Sequence, residues 1–137
     1  MEEKEDFIIR HEHEKIRVGK LTKHPSVIIH PKAQIELTGD LKIEKFSYIG
    51  EDTKIFTHKH IIKNSRKRRV KSEQIIPVNL EIGEDVGIAC NCIVIGVSRI
   101  GNGAILYAGT VLTKDVNDFE IWAGNPARKI GERKDKE

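Results

Sequence analysis

The sequence is short of aromatic residues: one Trp, two Tyr and four Phe, 5% of 137 residues. Its core must therefore be built from Ile, Val, Leu and Ala. One domain with a modest core is the size class that this length allows. The only two cysteines, Cys90 and Cys92, are separated by a single residue. That spacing suits neither a disulfide framework nor a zinc knuckle, so a reduced, packed pair is expected. No apolar run approaches the length of a membrane span. The acidic start MEEKEDFIIRHEHEK lacks the apolar stretch of a signal peptide, so a cytoplasmic location is expected. Net charge is only +3, too small to make nucleic acid a default partner. His11 and His13 alternate with Glu12 and Glu14, but no third fixed ligand accompanies them, and no metal is expected.

What the sequence does have is a period of six. From Ile82 it reads IGEDVG, IACNCI, VIGVSR, IGNGAI, LYAGTV, LTKDVN. Each hexad opens on an aliphatic residue: Ile82, Ile88, Val94, Ile100, Leu106 and Leu112. Each carries a small or β-branched residue fifth: Val86, Cys92, Ser98, Ala104, Thr110 and Val116. A helix needs apolar spacings of three and four, and a long strand a spacing of two, so a strict six fits neither. It fits one short strand and one corner per hexad, three hexads to a triangular coil. Ile43, Ile49 and Ile55 extend the phase upstream, as do Ile29 and Ile35. The eight-residue step from Ile35 to Ile43 predicts an insertion near Leu37–Asp40, where Thr-Gly-Asp has turn chemistry.

The phase is lost after His60 and is expected to resume at Ile76, so residues 61–75 read as a loop pushed out of one corner. The expected layout is a single all-β domain over 1–137. Residues 1–15 form a cap or strand, 16–130 a parallel β-helix of about five coils, and 131–137 a charged tail. A stack that short buries each coil only against its neighbours, which favours oligomerisation.

Three stretches resemble the hexapeptide-repeat acyltransferases, in particular the sugar O-acetyltransferases that act on maltose, galactosides and capsular polysaccharide. Thr57-His58-Lys59-His60 is similar to the family's THxH. PVNLEIGEDVGIACNCIVI, from Pro77 to Ile95, resembles its P-hydrophobic-x-IG-x-x-VWIG-x-N-x-x-I. IGNGAILYAGTVLTKDV…AGNPARKI, from Ile100 to Ile130, resembles IGxGAVIGAGSVVTKDV…AGNPAKVI. The resemblance covers roughly residues 25–131. It implies a left-handed winding, a homotrimer, and acetyl-CoA lying in the groove between neighbouring subunits. The acceptor it implies is a hydroxyl, or an amine, of a small sugar or nucleotide-sugar.

Within that resemblance His58 takes the role of general base, because a hydroxyl attacks a thioester well only as its proton is removed and histidine titrates near working pH. His60 is the runner-up, and the two are expected to point apart. Glu51, Asp52, Glu84 and Asp85 are the candidates for orienting His58. The resemblance assigns the pantetheine arm to the backbone around Cys90 and Ala108. It assigns the adenine and phosphate end to Thr113, Lys114, Asn125, Pro126 and Arg128. The basic run from Lys63 to Lys71, with Arg66, Arg68 and Arg69, suits an anionic acceptor. Two positions depart from the pattern: Gly87 stands where the family has Trp, and Tyr107 where it has Gly. Those departures keep a non-catalytic trimeric scaffold as the alternative. A γ-type carbonic anhydrase would need a third zinc histidine, and no histidine follows His60.

Overall fold

The computed structural model describes residues 7–9, 18–60 and 75–134. Its elements are short strands, three to a coil. The first coil is β2 (Leu21–Lys23), β3 (Ile28–Ile29) and β4 (Gln34–Glu36). The second is β5 (Leu41–Ile43), β6 (Tyr48–Ile49) and β7 (Lys54–Phe56). A ribbon of β8 (His58–His60) and β9 (Ile75–Pro77) then leaves the solenoid. The third coil is β10 (Leu80–Ile82), β11 (Gly87–Ile88) and β12 (Ile93–Ile95). The fourth is β13 (Arg99–Ile100), β14 (Ile105–Leu106) and β15 (Val111–Leu112). Val116 bridges to Ile100 to start a further turn, which β16 (Glu120–Ala123) and β17 (Arg128–Glu132) finish. At the other end, β1 (Ile8–Ile9) lies parallel beside β4.

The strands stack into three parallel faces. Face one is β2-β5-β10-β13, face two is β3-β6-β11-β14-β16 with β17 added antiparallel, and face three is β1-β4-β7-β12-β15. Each aliphatic hexad head sits on the head of the next coil. Ile35 pairs with Ile55, Ile55 with Val94, and Val94 with Leu112. Ile49, Ile88 and Leu106 do the same on face two. All of these heads are fully buried. The small fifth residues tie one coil to the next. Ser47 donates to the Gly83 carbonyl and accepts from the Val86 N–H. Thr53 donates to the Ala89 carbonyl and accepts from the Cys92 N–H. Cys92 is buried and Cys90 exposed, and burial pushes the Cys92 thiol up in pKa.

The outward sides of the faces differ. Face one presents Thr22, Lys42, Glu81 and Arg99 in register, an alternating charged ladder suited to water. Face two presents Ile28, Tyr48, Gly87, Ile105 and Ile121, with Ile28 and Tyr48 well exposed.

Three expectations change. Ser98 is exposed and Val97 fills the inward place, because Gly96, at φ +67°, turns the corner early. Asp115 holds Ser98 outward, accepting from its hydroxyl, its N–H and the Arg99 N–H. Partial burial works against that carboxylate, but these bonds prevail and keep its pKa below the usual range. The solenoid does not resume at Ile76, which pairs antiparallel with Lys59 in the ribbon. It resumes at Leu80, stacked on Leu41. Finally, β17 runs past residue 130 into the expected tail, where Arg133 bonds the carboxylate of Asp85 and the carbonyl of Gly103. The insertion near Leu37–Asp40 is present as a longer corner between β4 and β5.

Because Ile55 touches heads on both sides, Ile55→Ala leaves a cavity in the stack and should cost about 2–5 kcal/mol. Lys42→Ala, on the charged ladder, should stay within about 0.5 kcal/mol. Urea unfolding of the two variants beside the wild type measures the contrast.

Candidate active site

The corner between faces three and one is where the chain twice abandons its period, and the two departures lie on each other. The first-coil insertion, Leu37-Thr38-Gly39-Asp40, sits beneath Thr57 and the ribbon root. Buried Thr57 donates its hydroxyl to the Glu36 carbonyl at 2.8 Å. Gly39 donates its N–H to both the Thr57 carbonyl, at 3.0 Å, and the Thr57 hydroxyl, at 2.9 Å. A Cβ at Gly39 would lie 2.7 Å from the Val78 carbonyl carbon and 2.9 Å from the Thr57 oxygen, so only glycine fits under the ribbon.

Glu36 breaks the inward–outward alternation of β4. It follows the inward Ile35, yet it is itself 3% exposed. Its side chain bends forward to the corner. Oε1 accepts the Thr38 N–H at 2.7 Å and Oε2 accepts the Thr38 hydroxyl at 2.9 Å. The same Oε2 lies against Nδ1 of His58, whose side chain is 13% exposed. Among the described residues that buried nitrogen makes no hydrogen bond of regular geometry, and its ionic contact is with Glu36. An imidazole nitrogen with a carboxylate behind it presents its other nitrogen outward, which is how histidines are fixed for proton transfer.

The sequence leaves the residue that orients His58 open, and the four carboxylates near it in the pattern are engaged elsewhere or sit at corners. Glu51 pairs with Lys32 at 3.3 Å, and Asp85 with Arg133 at 3.0 Å. Asp52, like Asp85, is a corner residue in the left-handed region, and Glu84 is exposed with its N–H donated to the Asn102 side chain. Nor do His58 and His60 point apart. Residues i and i+2 of a strand share a face, and the two rings meet edge to face with centroids 5.0 Å apart. The Phe56 ring flanks His58 on the other side at 5.9 Å. His60 itself is exposed.

The residues expected to hold acetyl-CoA divide between two edges. Cys90 and Ala108 occupy successive corners between faces two and three, linked by the Gly109 N–H to the Cys90 carbonyl at 3.1 Å. Asn125 and Pro126, joined by a cis peptide, follow one turn on, where Gly124 accepts the Val111 N–H. Arg128 starts β17 beside Ala123, exposed, with one guanidinium nitrogen on the Ala127 carbonyl. Cys90, Ala108, Asn125 and Pro126 are all exposed. Thr113 and Lys114 lie at the far end of β15, on the same edge as His58. Arg66, Arg68 and Arg69 lie outside the described residues, as do His11 to Glu14. His24 and His30 make local bonds in the first coil, to Ser26 and to the Lys32 N–H. Among the described residues no three metal-ligating side chains converge.

The comparisons agree with this architecture. No protein-family profile matches the sequence. The "Putative acetyltransferase YvoF" of Bacillus subtilis is 29% identical over 116 residues, 85% of this chain. The chain spans 60% of YvoF's length. The hexapeptide-repeat acetyltransferase VCA0836 of Vibrio cholerae, complexed with acetyl coenzyme A, superposes with TM-score 0.66 at 21% identity, covering 87% of this chain and 72% of that one. A maltose O-acetyltransferase of Clostridium difficile gives 0.61 at 20% identity, over 87% of this chain and 70% of its own. The chain has the fold of the hexapeptide-repeat acetyltransferases with which it superposes.

Gly87, in place of the family's Trp, is not forced by packing. A Cβ there meets nothing within 4 Å, and its φ is not in the left-handed region. Glycine within a strand forgoes side-chain packing. Gly87→Trp should therefore fold and unfold at the wild-type midpoint or above it; thermal unfolding by circular dichroism reads the difference.

Proposed function

We propose that the protein transfers an acetyl group from acetyl-CoA to a hydroxyl of a sugar-like acceptor, with His58 as general base. One observation carries the reading: the histidine of the family's THxH motif has its Nδ1 set against a buried carboxylate, Glu36, at the corner from which the ribbon leaves. That arrangement leaves Nε2 to take the acceptor's proton as its oxygen attacks the thioester carbon. The C–O bond forms, the C–S bond breaks, and the proton leaves with the CoA thiol. A positioned base of this kind contributes about 10²–10⁴ in rate.

The reading includes a second copy of the chain. Cys90, Ala108, Asn125, Pro126 and Arg128 stand on one edge of the prism, and His58, Thr113 and Lys114 on another. A neighbouring prism, in a left-handed homotrimer like those the resemblance implies, would bring the two edges to one groove. Arg128 and Lys114 would there neutralise phosphate oxygens. The sugar acceptor rests on the maltose and galactoside acetyltransferases among the structural neighbours. An anionic acceptor rests on the basic run of Arg66, Arg68 and Arg69. Tyr107, 50% exposed on the CoA edge, favours the scaffold reading if its ring lies over the groove.

Release of CoA thiol from acetyl-CoA, followed across a panel of maltose, galactosides and nucleotide-sugars, tests the proposal. The wild type should turn over at least one acceptor, and His58→Ala should lose about 10²–10⁴ in kcat with its oligomeric state retained. Equal turnover by the two would remove His58 as the base, and no turnover of any acceptor by the wild type would assign the protein to the scaffold reading.

A further inference from the structure

We infer that Thr38 is a positioning residue for His58, acting through Glu36; this deepens the proposed function and rests on it for its catalytic meaning. Glu36 is 3% exposed, and a buried carboxylate without donors is costly. Two donors come to it from one residue, two places on. The Thr38 N–H holds Oε1 at 2.7 Å and the Thr38 hydroxyl holds Oε2 at 2.9 Å. Thr38 is itself 3% exposed, so water does not readily take over the hydroxyl's part.

The N–H alone leaves the carboxylate free to swing about Oε1. The hydroxyl removes that freedom and fixes Oε2, the oxygen that faces His58 Nδ1. An ionised carboxylate only accepts hydrogen bonds. The nitrogen that faces it must therefore carry the proton, and the neutral ring is held as the Nδ1–H tautomer with its Nε2 lone pair outward. The geometry of the base is then set one coil below it, by the Thr38 hydroxyl acting through Glu36.

The corner insertion makes the arrangement possible. The two extra residues between Ile35 and Ile43 let the chain place Thr38 beside Glu36 before it turns to β5 at Leu41. Gly39 and Thr57 then lock that corner to the ribbon root through the bonds already described. A six-residue corner would have no room for both the donor and the turn.

The test uses protein labelled with nitrogen-15 at histidine, with the His58 ring signals assigned by their loss in His58→Gln. It reads the tautomer and the titration midpoint of His58 without any acceptor. Wild type should show the Nδ1–H tautomer at pH above the titration. Thr38→Val keeps the shape and deletes the hydroxyl; it should shift His58 to a mixture with Nε2–H. Thr38→Ser should restore the wild-type spectrum, and Glu36→Gln should abolish the preference outright. An Nε2–H tautomer in wild type, or a Thr38→Val spectrum identical to wild type, would overturn the inference. Where an acceptor is turned over, Thr38→Val should lower kcat by less than the roughly 10²–10⁴-fold that loss of the base itself costs, with KM for acetyl-CoA unchanged. If no acceptor is turned over but the tautomer result holds, the failure lies with the transferase reading and not with the Thr38 assignment.

Discussion

Everything in this molecule depends on keeping the coils in register. Each inward aliphatic residue rests on the equivalent residue one coil away, and a slip of one residue would send the whole column to the surface. The columns Ile35–Ile55–Val94–Leu112 and Ile49–Ile88–Leu106 are buried on this basis alone. With 5% aromatics there are few large rings to fill errors, so the fit rests on Ile, Val and Leu at one height per coil. The fifth-position hydroxyls of Ser47 and Thr53 reinforce the same register with bonds from coil to coil.

A register so strict makes its exceptions informative. Both interruptions of the six-residue period fall on one edge, between faces three and one, in successive coils. The insertion at Leu37–Asp40 and the exit of the ribbon at His58 are one construction. The first supplies a buried carboxylate with its own donors, and the second sets a histidine on it. The other edge, with its small exposed corners at Cys90 and Ala108, offers backbone instead of side chains. One prism thus carries two dissimilar edges, a charged outer face one and an apolar outer face two.

The coil was legible in the sequence because its signal is repeated: the heads from Ile82 to Leu112 mark every strand of the two complete coils after the ribbon. Ser98 misled because a period of six cannot see that Gly96 turns early. Ile76 misled because an antiparallel ribbon of β-branched residues mimics another hexad. The site was half legible. His58 stood out through its motif, but Glu36 did not, since alternation along β4 puts a residue after Ile35 outside. Its burial is a tertiary fact, decided by Thr38 and by the chain one coil away. The signal that could have found it was the stacking of Ile35 on Ile55, which carries Glu36 to Phe56 and the next residues to Thr57 and His58. Counting in coils rather than hexads would have exposed the pair.

The central claim, that the edge from Cys90 to Arg128 receives acetyl-CoA, is tested most directly without an acceptor. The thermal unfolding midpoint is followed as acetyl-CoA is raised, in wild type and in Arg128→Ala. A ligand that binds only the folded protein stabilises it by RT ln(1 + [L]/Kd). The account predicts a midpoint that climbs with the logarithm of acetyl-CoA concentration, and a smaller climb in the variant. A wild-type midpoint that does not move at millimolar acetyl-CoA would contradict it.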